Sequence, residues 1–118
     1  MSVSNSSPLS NVATVAVAPT ETTVLSVSRE SLRGAKRITV GVQNDDGSQT
    51  FAGTVYRRLS GMSVWAASSI ADFASIAAGA AVVADLDVEG TDELELRGTM
   101  SGAGGNVTVK ATRKAATP

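Results

Sequence analysis

The sequence predicts an all-β fold: an antiparallel β-sandwich or jelly-roll-like domain with an extended N-terminal arm. Three observations predict it. Apolar and polar residues alternate with period two over most of the chain after residue 21. Seven or eight such runs are separated by turn residues every 8–12 positions. The core candidates are valine, alanine, leucine and isoleucine, and aromatics make up only 3% of the chain.

Residues 1–20 are read as an arm and residues 21–118 as the sandwich domain. The first half of the arm is small, polar and uncharged. Val12–Ala18 alternates weakly, with Val15 and Val17 on one face, and reads as an added edge strand closed by Pro19. In Thr22–Ser28, Leu25 and Val27 share a face. In Lys36–Asn44, Ile38, Val40 and Val42 alternate with Arg37, Thr39 and Gln43. Asp46-Gly47 predicts a hairpin into Gln49–Arg58, where Phe51 and Val55 lie on one face and Tyr56 on the other.

Gly61–Ala67 reads as a short strand with Met62 and Val64 opposite Trp65. Ile70, Phe73 and Ile76 have near-helical spacing, which fits either a helical turn capped by Ser68 or Ser69 or an irregular crossover. The last third is the most regular. Val82, Ala84, Leu86 and Val88 share one face of Ala80–Glu89. Leu94 and Leu96 alternate with Glu93, Glu95 and Arg97, and Val107, Val109 and Ala111 with Thr108, Lys110 and Thr112. The glycine-rich Ser101–Asn106 reads as a hairpin turn. Trp65, Phe51, Phe73 and Tyr56 are the few large pieces available to the core.

Composition excludes several functions. The chain has no cysteine and no histidine. That removes a thiolate nucleophile, an imidazole base, the Ser-His-Asp triad and Cys/His zinc sites. Disulfides are impossible as well. Ten basic and eleven acidic residues give a net charge of −1, without the basic excess of nucleic-acid binders. No apolar run approaches the ~20 residues of a membrane span. The N-terminus lacks the charged start and apolar stretch of a secretory signal, so synthesis in a cytoplasm is expected.

The acidic run Asp85-Asp87-Glu89-Gly90 begins like a calcium loop. Its twelfth position is Leu96, with Glu95 one short, and its flanks read as strands. A solvent-facing strand side explains every residue of it, and a weak cation site in the loop between Asp87 and Asp92 is the alternative. No carboxylate pair among Asp85, Asp87, Glu89, Asp92, Glu93 and Glu95 stands apart as an acid–base couple. We therefore expect no catalytic residues, no cofactor, no metal and no small-molecule substrate.

Charge order carries more information. Arg29, Arg33, Lys36, Arg37, Arg57 and Arg58 form a basic segment, and Asp72, Asp85, Asp87, Glu89, Asp92, Glu93 and Glu95 an acidic one. Either adjacent strands pair them within one molecule, or neighbouring copies meet base to acid. The former is slightly preferred. The candidate partner-binding residues are Leu9, Val12, Val15 and Val17 of the arm, with Tyr56, Arg57 and Arg58, since Tyr and Arg are enriched at interfaces.

The stretch AAVVADLDVEGTDELELRGTMSGAGGNVTVKATRK, Ala80 to Lys114, resembles the C-terminal strands of small β-sandwich proteins of tailed-phage virions. The resemblance is carried by Asp85-Leu86-Asp87-Val88, Gly90, Asp92, Leu94, Leu96, Gly98-Thr99 and Ser101 to Val109. It implies a capsid decoration (cement) protein or a related minor structural protein. The implied partners are the major capsid protein lattice and further copies of the chain, a trimer being favoured. The implied location is the capsid surface of the virion, after synthesis in the host cytoplasm. The rival expectations are a ligand- or carbohydrate-binding sandwich module and a tail or connector component.

Overall fold

The computed structural model describes residues 6–8, 12–32, 35–68 and 70–115. The elements follow as β1 (Ser6–Pro8), β2 (Ala13–Val17), β3 (Thr22–Val27), α1 (Arg29–Leu32), β4 (Ala35–Asn44), β5 (Phe51–Arg58), β6 (Ala66–Ser68), α2 (Ala71–Ala74), β7 (Ala81–Asp87), β8 (Glu93–Met100) and β9 (Gly105–Ala115). They form two antiparallel sheets packed face to face. The first, sheet A, has the order β1-β9-β4-β7, with β2 also on β9; sheet B has the order β3-β8-β5-β6. The expected all-β sandwich is what the chain forms.

Alternation predicts the buried faces well. Ile38, Val40 and Val42 of β4, Ala84 and Leu86 of β7, Leu94 and Leu96 of β8, and Val107, Val109 and Ala111 of β9 all point inward. Phe51, Phe73 and Ile76 complete the core. Ile70, Phe73 and Ile76 do lie around a helical turn, α2. Its N-cap is Ile70, without the side-chain cap expected of a serine. Burial of Phe73 holds this turn in place of capping. Gly53 and Gly98 face the core because the Phe51 ring fills the space beside them. A Cβ on Gly53 would come within 2.8 Å of that ring, and one on Gly98 within 2.8 Å of the Ala52 carbonyl.

The two expected hairpins are corrected. β4 pairs with β7 and β9, whereas β5 pairs with β6 and β8. Residues 45–50 therefore arch from one sheet to the other, and so do residues 101–104 between β8 and β9. Turn residues encode a reversal, but not the plane in which it occurs. The Asp46 carboxylate accepts hydrogen bonds from the backbone N–H groups of Ser48 (2.9 Å) and Gln49 (2.7 Å). Those bonds hold its pKa below the usual carboxylate value. Gly47 does not take the positive φ of the predicted hairpin turn. Buried Asn44 donates to the carbonyls of Gln49 (2.8 Å) and Ile76 (3.0 Å) and accepts from Asp46 N–H (3.0 Å). Gln49 then clamps the second arch through both the N–H and the carbonyl of Gly104.

The expected strand Gly61–Ala67 is also corrected. Only Ala66–Ser68 pairs with β5, and residues 59–65 form a loop. The positive φ of Gly61 and a hydrogen bond from Met62 N–H to the Leu59 carbonyl make a tight turn there in place of a strand.

Candidate assembly interface

The outer face of sheet B carries a continuous ladder of charged and aromatic side chains. Strand pleating sets it up. Tyr56 and Arg58 share the outward side of β5, opposite Glu95 and Glu93 of β8, and Arg97 lies across from Thr54. The Arg58 guanidinium meets the Glu93 carboxylate through two contacts, at 3.0 and 3.2 Å. It also lies 4.3 Å from the centre of the Trp65 ring. Arg97 lies 4.1 Å over the Tyr56 ring and 5.6 Å from that of Trp65. It bonds Glu95 at 2.8 Å and pairs with Glu21 at 3.6 Å. The Tyr56 hydroxyl donates to Glu21 at 2.8 Å.

This arrangement perturbs its own titrations. Donation to Glu21, then burial and the Glu21 charge, raise the Tyr56 pKa above its ordinary value. For Arg97, burial lowers the pKa. The hydrogen bond and charge of Glu95, with Glu21 and Tyr56, outweigh burial and leave it raised. The guanidinium therefore stays charged throughout the working range.

The loop 59–65 projects beside this ladder. Leu59, Met62 and Val64 are exposed, Val64 at 72%. The loop is anchored, because its Ser60 N–H donates to Asp92 at 2.5 Å. Arg57 lies on the inward side of β5, at the end of the sandwich. Its Nη1 donates to the Asp87 carbonyl at 2.9 Å, tying the two sheets together, while its buried Nε has no acceptor.

On sheet A, β2 runs along β9 from Ala13 opposite Val109 to Val17 opposite Gly105, and β1 pairs with its far end. Polar pairs occupy parts of the outer face here: Thr39 donates to Asp85 at 2.6 Å, and Gln43 and Thr108 both donate to Asp45, at 2.7 and 2.6 Å. Val83, Gly41 and Lys110 lie in one cross-strand row, and Val12 lies beside it. With no side chain on Gly41, the row becomes a shallow trough lined by Val12, Val83 and the Lys110 stem. Val12 is 60% exposed and Val83 70%.

The structure distributes the predicted partner-binding residues over both sheets. Val12 lines the trough, Val15 packs against the core, and Val17 belongs to the core at 2% exposure. Leu9 lies outside the described residues. Tyr56 and Arg58 come together in the ladder, but Arg57 points to the other side of the same strand. Trp65, expected in the core, is corrected: it stacks on the sheet surface, as does Tyr56, because arginines supply the cover that a core would. The basic and acidic segments meet within one molecule, through Arg58–Glu93 and through Arg37 set opposite Asp87. Asp85 accepts from the Thr39 hydroxyl at 2.6 Å, and Asp87 from the Glu89 N–H at 3.1 Å. Among the described residues, no group of three acidic side chains could hold a metal ion, and no helix is long and apolar enough to cross a membrane.

No known family model matches this chain, and no curated protein does. Solved structures share its fold. A chain from Bacillus endospore appendages, described as a novel family of disulfide-linked pili, superposes with a TM-score of 0.54 at 12% identity, over 99% of this chain and 97% of that one. The SPBc2 prophage-derived protein YomS superposes with a TM-score of 0.50 at 16% identity, over 92% and 89%. At these identities the likeness is one of fold.

Proposed function

We propose that this chain is a non-enzymatic structural subunit of a phage-type particle, and that it binds and stabilises the assembled capsid as a decoration protein. The observation that carries the reading is the N-terminal segment. It is an uncharged strand added to the edge of sheet A through backbone pairing, with exposed Val12 at its start. Among the described strands β2 pairs only with this chain's own β9, so its other edge is open to a strand of a neighbouring chain. Two further observations support the reading: fold likeness to a pilus chain and a prophage-derived protein along nearly their whole lengths, and the resemblance of residues 80–114 to phage virion sandwiches. The pili are disulfide-linked. This chain has no cysteine, so its assembly rests on non-covalent surface.

On this reading the protein sits on the capsid surface after synthesis in the host cytoplasm. It contacts the coat lattice through the arm and the edge of sheet A, and associates with further copies of itself. A fibre or tail component is the second reading, favoured by the pilus likeness. A carbohydrate-binding role is disfavoured, because Arg58 and Arg97 cover ring faces of Trp65 and Tyr56 that a sugar would need.

The test removes residues 1–11 and leaves β2 in place. A longer deletion would remove Val17 from the core and the Ala18 carbonyl that accepts from Met100 N–H. Occupancy on assembled capsids is expected to fall at least tenfold with the melting curve nearly unchanged. Unchanged occupancy would refute the role of residues 1–11, and Val12→Asp then tests the start of β2 in the same assay.

A further inference from the structure

The outer strands of the two sheets do not offer equal edges. Sheet B ends on β6, which has three residues, and on β3, whose register shifts between Thr23 and Leu25. A short strand and an irregular one are poor templates for further pairing. Among the described strands, sheet A ends on β7, paired with β4 alone, and on β2, paired with β9 alone. Ala13–Val17 and Ala81–Ala84 are regular and carry no charged residue.

We propose that the β2 edge of one copy pairs with the β7 edge of the next, so that sheet A runs on from copy to copy. This deepens the assembly reading above and rests on it, by naming the strand that covers β2. Three features of the edges argue for a second copy as the occupant.

The directions match. Neighbouring strands are antiparallel throughout the order β7-β4-β9-β2. The two outer strands therefore run oppositely. A copy placed alongside in the same orientation brings its β7 antiparallel to β2.

The hydrogen-bonding groups match. Asn44 N–H donates to the Ala80 carbonyl and Val88 N–H to the Lys36 carbonyl, so the even-numbered residues of β7 face β4. Ala81 and Val83 then turn their N–H and C=O groups to the open side. Asp45 N–H donates to the Asn106 carbonyl, so even-numbered residues of β9 face β4, and Val107 and Val109 face β2. Their partners Val15 and Ala13 bond towards β9, which leaves the groups of Thr14 and Ala16 on the open side. Ala16 set opposite Ala81, and Thr14 opposite Val83, make two hydrogen-bonded pairs.

The faces match in that same register. Val15 stands opposite Val82 and Val17 opposite Ala80, all on the core side. Val15, Ala80 and Val82 are only partly buried in one copy, although they pack against its core. Joining the edges covers all three. A pair of β2 strands would leave Ala80 and Val82 open. β9 and β4 separate the two edges, so one chain cannot make this contact with itself. The contact is heterologous, and such contacts close into rings or run on as filaments.

The chain has no cysteine, so introduced cysteines report the contact alone. Ala16 and Ala81 are both exposed. Opposite residues of a hydrogen-bonded pair lie about 5.5 Å apart at Cα, within disulfide reach. Under mild oxidation without particles, an equimolar mixture of Ala16→Cys and Ala81→Cys is expected to give at least about tenfold more disulfide dimer than either variant alone. The double variant is expected to give a ladder of covalent multimers on a denaturing gel. Met62→Cys, exposed on the loop 59–65, is expected not to replace Ala81→Cys in the mixture. In sedimentation, the wild type is expected to grow beyond the monomer as concentration rises. The proposal is overturned if the wild type stays monomeric, if Ala16→Cys alone dimerises as readily as the mixture, or if Met62→Cys serves as well as Ala81→Cys. A monomeric wild type that still binds capsids would assign the β2 edge to the coat protein. Because no capsid is present, failure here is distinct from failure to bind particles.

Discussion

The two outer faces of the sandwich differ in how they use their side chains. On sheet B, Glu21, Tyr56, Arg58, Trp65, Glu93, Glu95 and Arg97 satisfy one another by ion pairs, hydrogen bonds and stacking. On sheet A, Thr39–Asp85 and the Gln43–Asp45–Thr108 set are also hydrogen-bonded, but the row through Val83, Gly41 and Lys110 between them leaves a trough open. A partner gains unequally from the two faces. Charged groups that already face each other offer a neighbour little, since meeting it would require them to separate and desolvate. An exposed apolar depression gains by being covered. We therefore expect docking at the open row on sheet A, away from the residue types most typical of interfaces.

One core holds both faces. Gly98→Ala tests this with the largest effect. The new methyl would collide with the Phe51 ring, and a loss of about 3 kcal/mol is expected, at the upper end for overpacking. Unfolding followed by Trp65 fluorescence on sheet B and by far-UV dichroism should show a single coincident transition; two would separate the sheets.

Next in size is Asn44→Ala. It strips buried partners from the Gln49 and Ile76 carbonyls and the Asp46 N–H at the first arch, for about 2 kcal/mol by denaturant titration. Arg97→Met is expected to cost about 1 kcal/mol, because its ion pairs are partly solvated while its stacking is not replaced. It should also shift Trp65 emission. No change in either would mean that the ladder is not a unit.

Tyr56 is the only tyrosine in the chain, so an absorbance titration reads it alone. Its folded pKa is raised, chiefly by donation to Glu21. The associated stability is thus fully present below the unfolded value of about 10 and is lost as pH rises through the folded value. A midpoint above 10 is expected, moving down in Glu21→Gln. The smallest effect belongs to sheet A: Val83→Ser should change monomer stability by no more than about 0.5 kcal/mol while weakening self-association.

Much of the fold was legible in the sequence, because period two is a direct record of which side of a strand is buried. β4, β7, β8 and β9 show it residue by residue. The pairing was not legible. Asp46-Gly47 and Ser101–Asn106 read as hairpins, yet both are arches. Their geometry depends on Asn44 and Gln49 reaching across the end of the sandwich, contacts that no local pattern reports. Trp65 misled because a lone tryptophan in an aromatic-poor chain suggests a core. Its cover comes from Arg58 and Arg97, 7 and 32 residues away in sequence. The trough went unseen because it is defined by a missing side chain, Gly41, between neighbours contributed by other strands. The interior glycines Gly53 and Gly98 were the available sign that a large ring lies close by.

On the proposed reading this sandwich is a building piece of a particle surface, attached through its arm and sheet A. Electron cryomicroscopy of purified particles tests it most directly. Copies are expected at regular positions on the outside of the shell, with sheet A and the N-terminal segment towards the coat or a neighbouring copy and the Arg58–Trp65 ladder towards solvent. Absence of the protein from the particles, or copies attached through the ladder with sheet A exposed, would contradict it.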